Sequence, residues 1–238
     1  KTTGFNNQYF GYQAGYYNTT GRSNIAIGYN SQQGASGQTD GTYNVSLGEN
    51  SLASLTTGNH NFAVGSNAGY SLTSGENNII MGNAAGDALT TTSNSVMIGR
   101  SAGTAINSAD ANGTVLLGAY AGAAITEGQY NTAIGTSALA TEDTGNFSTA
   151  VGYEALTTQN RDGTVNNTAV GYRAGYAVTD GYEATLIGSN AGKAITTGFS
   201  NTIIGANTAD ELTTGDYNTA VGAGALQAED VGRGTTAI

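Results

Sequence analysis

The chain has 238 residues, 37 of them Gly, with no Pro, Cys or Trp, 10% charged residues and a net charge of -10. The absence of Cys excludes a disulfide framework, a thiolate metal site and a Cys nucleophile. Seven Lys plus Arg against 17 Asp plus Glu argue against binding a phosphate backbone, and no apolar run is long enough to span a membrane. Leu, Ile, Val and Phe make up only about 17% of the chain, a poverty that signals disorder when charge is also high. Here charge is scarce.

The explanation is an internal repeat. Segments such as NIAIG, NFAVG and NTAIG end on glycines at Gly11, Gly28, Gly48, Gly65, Gly82, Gly99, Gly118, Gly135, Gly152, Gly171, Gly188, Gly205 and Gly222. These anchors lie 17 residues apart, with short insertions at Gln33 to Gly41, Asn107 to Gly113 and Gln159 to Val165. A period of this length predicts a solenoid of 13 stacked units, each with a short β-branched strand before the anchor. Thirteen rungs at strand spacing would extend about 60 Å. Helix is excluded, because Gly recurs every seven to ten residues and the apolar spacing lacks a 3.6 period.

We number positions in each unit from its anchor. Position -1 is apolar throughout, from Phe10 and Ile27 to Ile204 and Val221, and is expected to face the core. Position +3 is Ala in ten units, a smallness that predicts close approach to a neighbouring backbone or chain. Position -4 is Asn in nine units, among them Asn24, Asn61 and Asn218, which predicts a ladder of side-chain amides. Position -7 is Gly in ten units, the other corner of the coil. Position +4 is mostly Gly or Leu. With Gly there, +7 is usually apolar (Gly86 with Leu89, Gly192 with Ile195); with Leu, +7 is usually polar (Leu139 with Glu142, Leu156 with Gln159, Leu226 with Glu229). Each rung therefore has room for one large apolar side chain, supplied from either position. Gly15 with Asn18 and Leu52 with Leu55 depart from this rule.

The segments GQYNTAIGTSAL (128–139) and TGFSNTIIG (197–205) resemble repeats of bacteriophage tail fibres and of trimeric autotransporter adhesin heads, the latter left-handed parallel β-rolls. The resemblance covers the whole chain. It implies a homotrimeric structural shaft, extracellular, on a cell surface or on a virion, that presents a receptor-binding tip. Burial is thin for an isolated coil, which also favours partner chains, sharing the Ala column. The last residues, Gly232 to Ile238, match the approach to a further anchor and neither end shows a capping unit, so the single array 1–238 is expected to be an excerpt of a longer fibre.

Catalysis is not expected. His60, the sole histidine, sits at a variable position elsewhere filled by Tyr43, Tyr130, Phe147 or Tyr217, and the pairs Glu142–Asp143 and Asp210–Glu211 read as solvated turn charges. Asp110 and Asn112, or Asp162, are candidate calcium ligands, without an EF-hand pattern; no other cofactor is indicated. The candidate binding residues are Tyr12, Tyr29, Tyr153 and Tyr172 at +1 and Tyr16, Tyr70 and Tyr176 at +5, aromatics suited to stacking on a surface glycan or a host receptor. Two other roles stay open: a self-assembling extracellular filament subunit, and an ice-binding solenoid using the Thr-Thr-Gly ranks.

Overall fold

The computed structural model describes residues 3–35, 39–108, 111–228 and 230–238. These form a parallel β-solenoid of about 13 turns, roughly 17 residues apart, with no helix among them. The chain divides into two compact units, Lys1–Ala119 and Tyr120–Ile238.

In the first unit seven strands pair in sequence order: β1 (Gln8–Phe10), β2 (Ile25–Ile27), β3 (Val45–Leu47), β4 (Phe62–Val64), β5 (Ile79–Met81), β6 (Val96–Ile98) and β7 (Val115–Leu117). The register matches equivalent repeat positions, so Ile79 lies opposite Phe62 and Val96. In the second unit β8 (Thr132–Ile134), β10 (Thr149–Val151), β12 (Thr168–Val170), β13 (Thr185–Ile187), β14 (Thr202–Ile204), β15 (Thr219–Val221) and β16 (Thr236–Ala237) pair the same way. The minor strands β9 (Gly145–Asn146) and β11 (Gly163–Thr164) form a separate parallel pair. Insertions do not interrupt the ladder: Ile25 still pairs with Val45, Val96 with Val115 and Thr149 with Thr168.

The column that faces the core differs from the expected one. Position -1 points outward: Phe10 is 63% exposed and Ile27 44%. The strands are three residues long and alternate, so only their middle residue, at -2, turns inward. Ala26, Ala63, Ile80, Met97, Leu116, Ala133, Ala150, Leu186 and Ile203 are fully buried there. Apolar size is misleading here because -2 is often Ala, while its outward neighbours are large. Volume is made up elsewhere in the rung. Where -2 is small, +4 is large: Ala133 with Leu139, Ala150 with Leu156, Ser46 with Leu52. Where -2 is large, +4 is Gly or Ala: Ile80 with Gly86, Met97 with Gly103, Leu186 with Gly192, Ile203 with Ala209. A Cβ on Gly103 would lie 2.8 Å from Leu116 Cδ1 and 3.1 Å from Ile106 Cδ1. Gly69 and Gly175 break the pairing because each lies between a Leu at +4 (Leu52, Leu156) and a large -2 residue (Ile80, Leu186). Leu52 and Leu55 are both buried, with only Ser46 and Ala63 to accommodate at -2.

The Ala column at +3 is sealed inside the coil. Ala68, Ala85, Ala102, Ala121, Ala138, Ala155, Ala174 and Ala191 are fully buried, so a partner chain has no access to them, contrary to the shared-column expectation. Where Ser replaces Ala its hydroxyl is satisfied, Ser31 Oγ lying 3.0 Å from the Ser46 carbonyl.

The amide ladder forms as expected. Each corner Asn accepts an N–H from the next rung on Oδ1 and donates Nδ2 to that rung's corner carbonyl. Asn44 does so with Asn61 N–H (2.9 Å) and Gly58 O (2.9 Å), Asn201 with Asn218 N–H (2.9 Å) and Gly215 O (2.7 Å). At Ser148, which has no amide, Gln159 reaches in: its Nε2 donates to Ser148 Oγ (2.9 Å) and Glu142 Oε2 (2.7 Å), and its Oε1 accepts from Asn167 Nδ2 (2.9 Å). Glu142 is thus fully buried, not solvated as expected, its Oε1 accepting the Gly145 and Asp143 N–H groups. Glu229 lies outside the described residues.

Candidate functional site

With the interior filled, the chemistry on offer is a set of exposed columns. The anchor glycine holds φ near +135°, turning the chain off the strand and carrying +1 outward. Where successive rungs place Tyr there, the rings stack: Tyr12 on Tyr29 at 5.4 Å and Tyr153 on Tyr172 at 5.6 Å between centroids, near-parallel in each case. Position +5 joins the second cluster. The Arg173 guanidinium sits 5.3 Å from the Tyr172 ring and 5.1 Å from the Tyr176 ring, and its Nε donates to Glu154 Oε2 at 2.7 Å. Burial pushes the Glu154 carboxyl upward, but hydrogen bonds from Tyr153 and Arg173 outweigh it and hold the group below the usual carboxylate range. The Tyr153 hydroxyl is held neutral to higher pH, first by its hydrogen bond to Glu154 and then by that charge. Three of the candidate tyrosines, Tyr153, Tyr172 and Tyr176, therefore form one cation-bearing aromatic surface, the arrangement that suits a sugar face with hydroxyls at its rim.

The other candidates are dispersed. Tyr12 and Tyr29 form a separate pair, Tyr16 packs edge-on against Tyr17 at 4.8 Å, and Tyr70 lines a hollow with Asn50, Asn67 and Asp87. A further aromatic ladder runs along positions -5 and -6: Tyr43 on His60 (5.1 Å), Tyr130 on Phe147 (5.5 Å), and Tyr182 on Phe199 (4.9 Å), with Tyr217 edge-on to Phe199. Its signal in the sequence is the recurrence of ring residues in the His60 column. Arg161 caps it, 4.2 Å above the Tyr182 ring and 2.6 Å from Asp180 Oδ1.

The candidate calcium ligands are otherwise engaged. Asp162 accepts from Thr144 Oγ1 (2.5 Å) and Asn112 from the Ser93 N–H (2.6 Å), while Asp110 lies outside the described residues. Among the described residues no group of three or more His, Cys, Asp or Glu is placed to hold a metal ion. Asp210 pairs with Lys193 at 3.1 Å.

Two sets of Thr behave differently. Corner Thr hydroxyls donate to the next rung's carbonyl, as Thr56 to Thr73 O (2.9 Å), Thr73 to Thr90 O (3.0 Å) and Thr196 to Thr213 O (3.2 Å). The corner ranks are therefore part of the coil's own bonding. A second column, at -3, runs along the outer sheet face of the second unit: Thr132, Thr149, Thr168, Thr185, Thr202, Thr219 and Thr236, paired in register. In the first unit the same column is Ile25, Val45, Phe62, Ile79, Val96 and Val115.

Fold and surface together define a β-solenoid repeat protein whose reactive surface is a series of side-chain columns. Compared with protein-family models, curated proteins and solved structures, the chain finds no match.

Proposed function

We propose that the chain is a structural shaft segment of an extracellular or virion-borne fibre, a spacer that presents a receptor-binding tip and works as a homotrimer. The observation that carries this reading is the redundancy of the rung: most repeat the same corner amide bonds and close the interior with their own or a neighbouring rung's side chains, so a unit adds length without adding a new site. No catalytic step is proposed, since the buried carboxylate of Glu142 is occupied by backbone N–H groups and Gln159. Weak contacts to surface glycans fall to the Tyr153–Tyr172–Tyr176 cluster and multiply along the fibre. Excising one 17-residue unit, residues 189–205, tests the spacer role. The shortened chain should keep its β circular dichroism and unfold within about 5 °C of the intact chain. Loss of the fold would reject it. A filament subunit would instead grow in length with concentration.

A second reading, ice binding, is favoured by one observation: the -3 Thr column of the second unit lies on a strand-paired face beside Ile134, Val151, Val170, Ile187, Ile204 and Val221, an ordered array of methyl and hydroxyl groups. It predicts thermal hysteresis that Thr185→Lys with Thr202→Lys abolishes; no hysteresis in the intact chain removes this reading.

A further inference from the structure

The outer sheet face carries an apolar column at position -1 on all of β1–β7 and a second at -3 on β2–β7. Position -1 supplies Phe10, Ile27, Leu47, Val64, Met81, Ile98 and Leu117, and position -3 supplies Ile25 through Val115. Phe10, Ile27, Phe62 and Ile79 are exposed, and Ile79 keeps 42% of its surface in water. We propose that this face seats a second copy of the chain, in parallel and in axial register. The inference rests on the self-association in the proposed function and names the surface that performs it: about a three-fold axis along the fibre, this face of each chain meets the same face of its neighbours.

Three observations choose the occupant. The first is area. At roughly 50 Å² of exposed surface per side chain, the thirteen apolar side chains of the two columns offer on the order of 650 Å². That exceeds an ordinary surface patch and approaches the roughly 800 Å² per partner of a stable interface. The second is charge. Neither column holds a charged residue on any strand of either unit, although the chain carries a net charge of -10. Two copies meeting here bring no like charges together at the contact, and repulsion elsewhere works against other approaches. The third is geometry. The strands pair in register, so a copy presents the same columns at the same rung spacing, and ridges of one face meet grooves of the other. Direction follows from composition. Parallel seating sets Ile over Ile in the first unit and Thr over Thr in the second. Seating the second unit of one copy on the first unit of the other would set the Thr column over Ile25, Val45, Phe62 and Ile79. The sealed Ala column offers no competing surface.

The test uses the whole chain with light scattering and sedimentation over a dilution series. The intact chain is expected to associate. Ile27→Lys with Ile79→Lys should move the association midpoint at least about 100-fold, since each Lys must be desolvated at the contact. Asn83→Lys with Ser189→Lys, an equal charge change at exposed sites off this face, should move it less than about threefold. All four positions are exposed, and circular dichroism confirms that the variants fold. The chain has no Cys, so Ile27→Cys under oxidation reports register: it should cross-link to itself. An intact chain that stays monomeric overturns the self-association reading and leaves the face to another partner. Association unchanged by the Ile27 and Ile79 substitutions overturns this face while that reading stands. Failure of Ile27→Cys to cross-link overturns the parallel register.

Discussion

Asn61→Ala is expected to destabilise the chain by about 3–5 kcal/mol, although it removes only a small polar side chain. Asn61 is buried in the corner ladder. Its Nδ2 donates to the Gly75 carbonyl at 2.8 Å and to Asn44 Oδ1 at 3.2 Å, and its Oδ1 accepts from the Asn78 N–H at 3.1 Å and Asn78 Nδ2 at 3.0 Å. Alanine leaves the Gly75 carbonyl and the Asn78 N–H without these partners, in a place water does not reach. Each orphaned group costs about 1–3 kcal/mol, whereas the bonds themselves count for less. Asn61→Ser should fall short of full rescue. At Ser148 the Gln159 amide supplies what Ser lacks, whereas the Ser95 hydroxyl donates only back to the Ser93 carbonyl at 3.3 Å; the residue equivalent to Gln159 in the Asn61 rung is Leu72, fully buried and apolar. Thermal or urea unfolding of the three chains measures the order: intact, then Asn61→Ser, then Asn61→Ala. A loss below about 1 kcal/mol for Ala would mean that the ladder is not needed at this corner.

The ladder was legible in the sequence because an Asn recurring at one position has few other physical uses in a coil. The inward face was not. A three-residue strand shows two large outward residues for each inward one, so the apolar count points to the wrong side whenever the inward residue is Ala. The readable signal was reciprocity: Ala133 with Leu139 and Ala150 with Leu156, against Ile80 with Gly86 and Met97 with Gly103. Two positions that trade volume must touch the same cavity. The Gly-or-Leu choice at +4 trades volume with +7 and also with -2, the third contributor to the same space. The tyrosine clusters were half legible. The column was visible in the spacing, while the convergence of Arg173 and Glu154 on Tyr172 depends on which side chains the turn brings across a rung.

Backbone conformation was also written in the sequence, though less openly. Positions -5 and +2 adopt left-handed φ near +55° throughout, as Tyr43, His60, Tyr130, Asn30, Asn67 and Asn190 show, and so does +4 at Leu52, Leu139 and Leu156. Among the described residues no Val, Ile or Thr occupies a left-handed position, although Thr is common in the chain. Branching at Cβ makes that region costly. Leu at +4 accepts this strain because its side chain then fills the core that Gly leaves for its neighbours.

The anchor glycines allow no such exchange, and Gly82→Ala stands for a column in which a single added methyl should be severely damaging. Gly82 has φ +134°, outside the left-handed region that Leu and Asn tolerate. Space is also lacking: an added Cβ would lie 2.6 Å from the carbonyl carbon of Gly99 in the next rung, and nearer still to its oxygen. That obstacle is backbone, held by the Gly99 N–H bond to the Met81 carbonyl at 2.7 Å, so relief requires separating two rungs. We expect a loss of at least about 4 kcal/mol, from strain and overlap together. Gly163→Ala is the matched comparison. Gly163 also has positive φ, +79°, but it is exposed in the third insertion and an added Cβ meets nothing within 4 Å. Its substitution should cost about 1 kcal/mol, the conformational term alone. Urea unfolding of the two variants separates the contributions. Equal losses would mean that backbone strain explains both, and that the anchor column is not where neighbouring rungs make their closest approach.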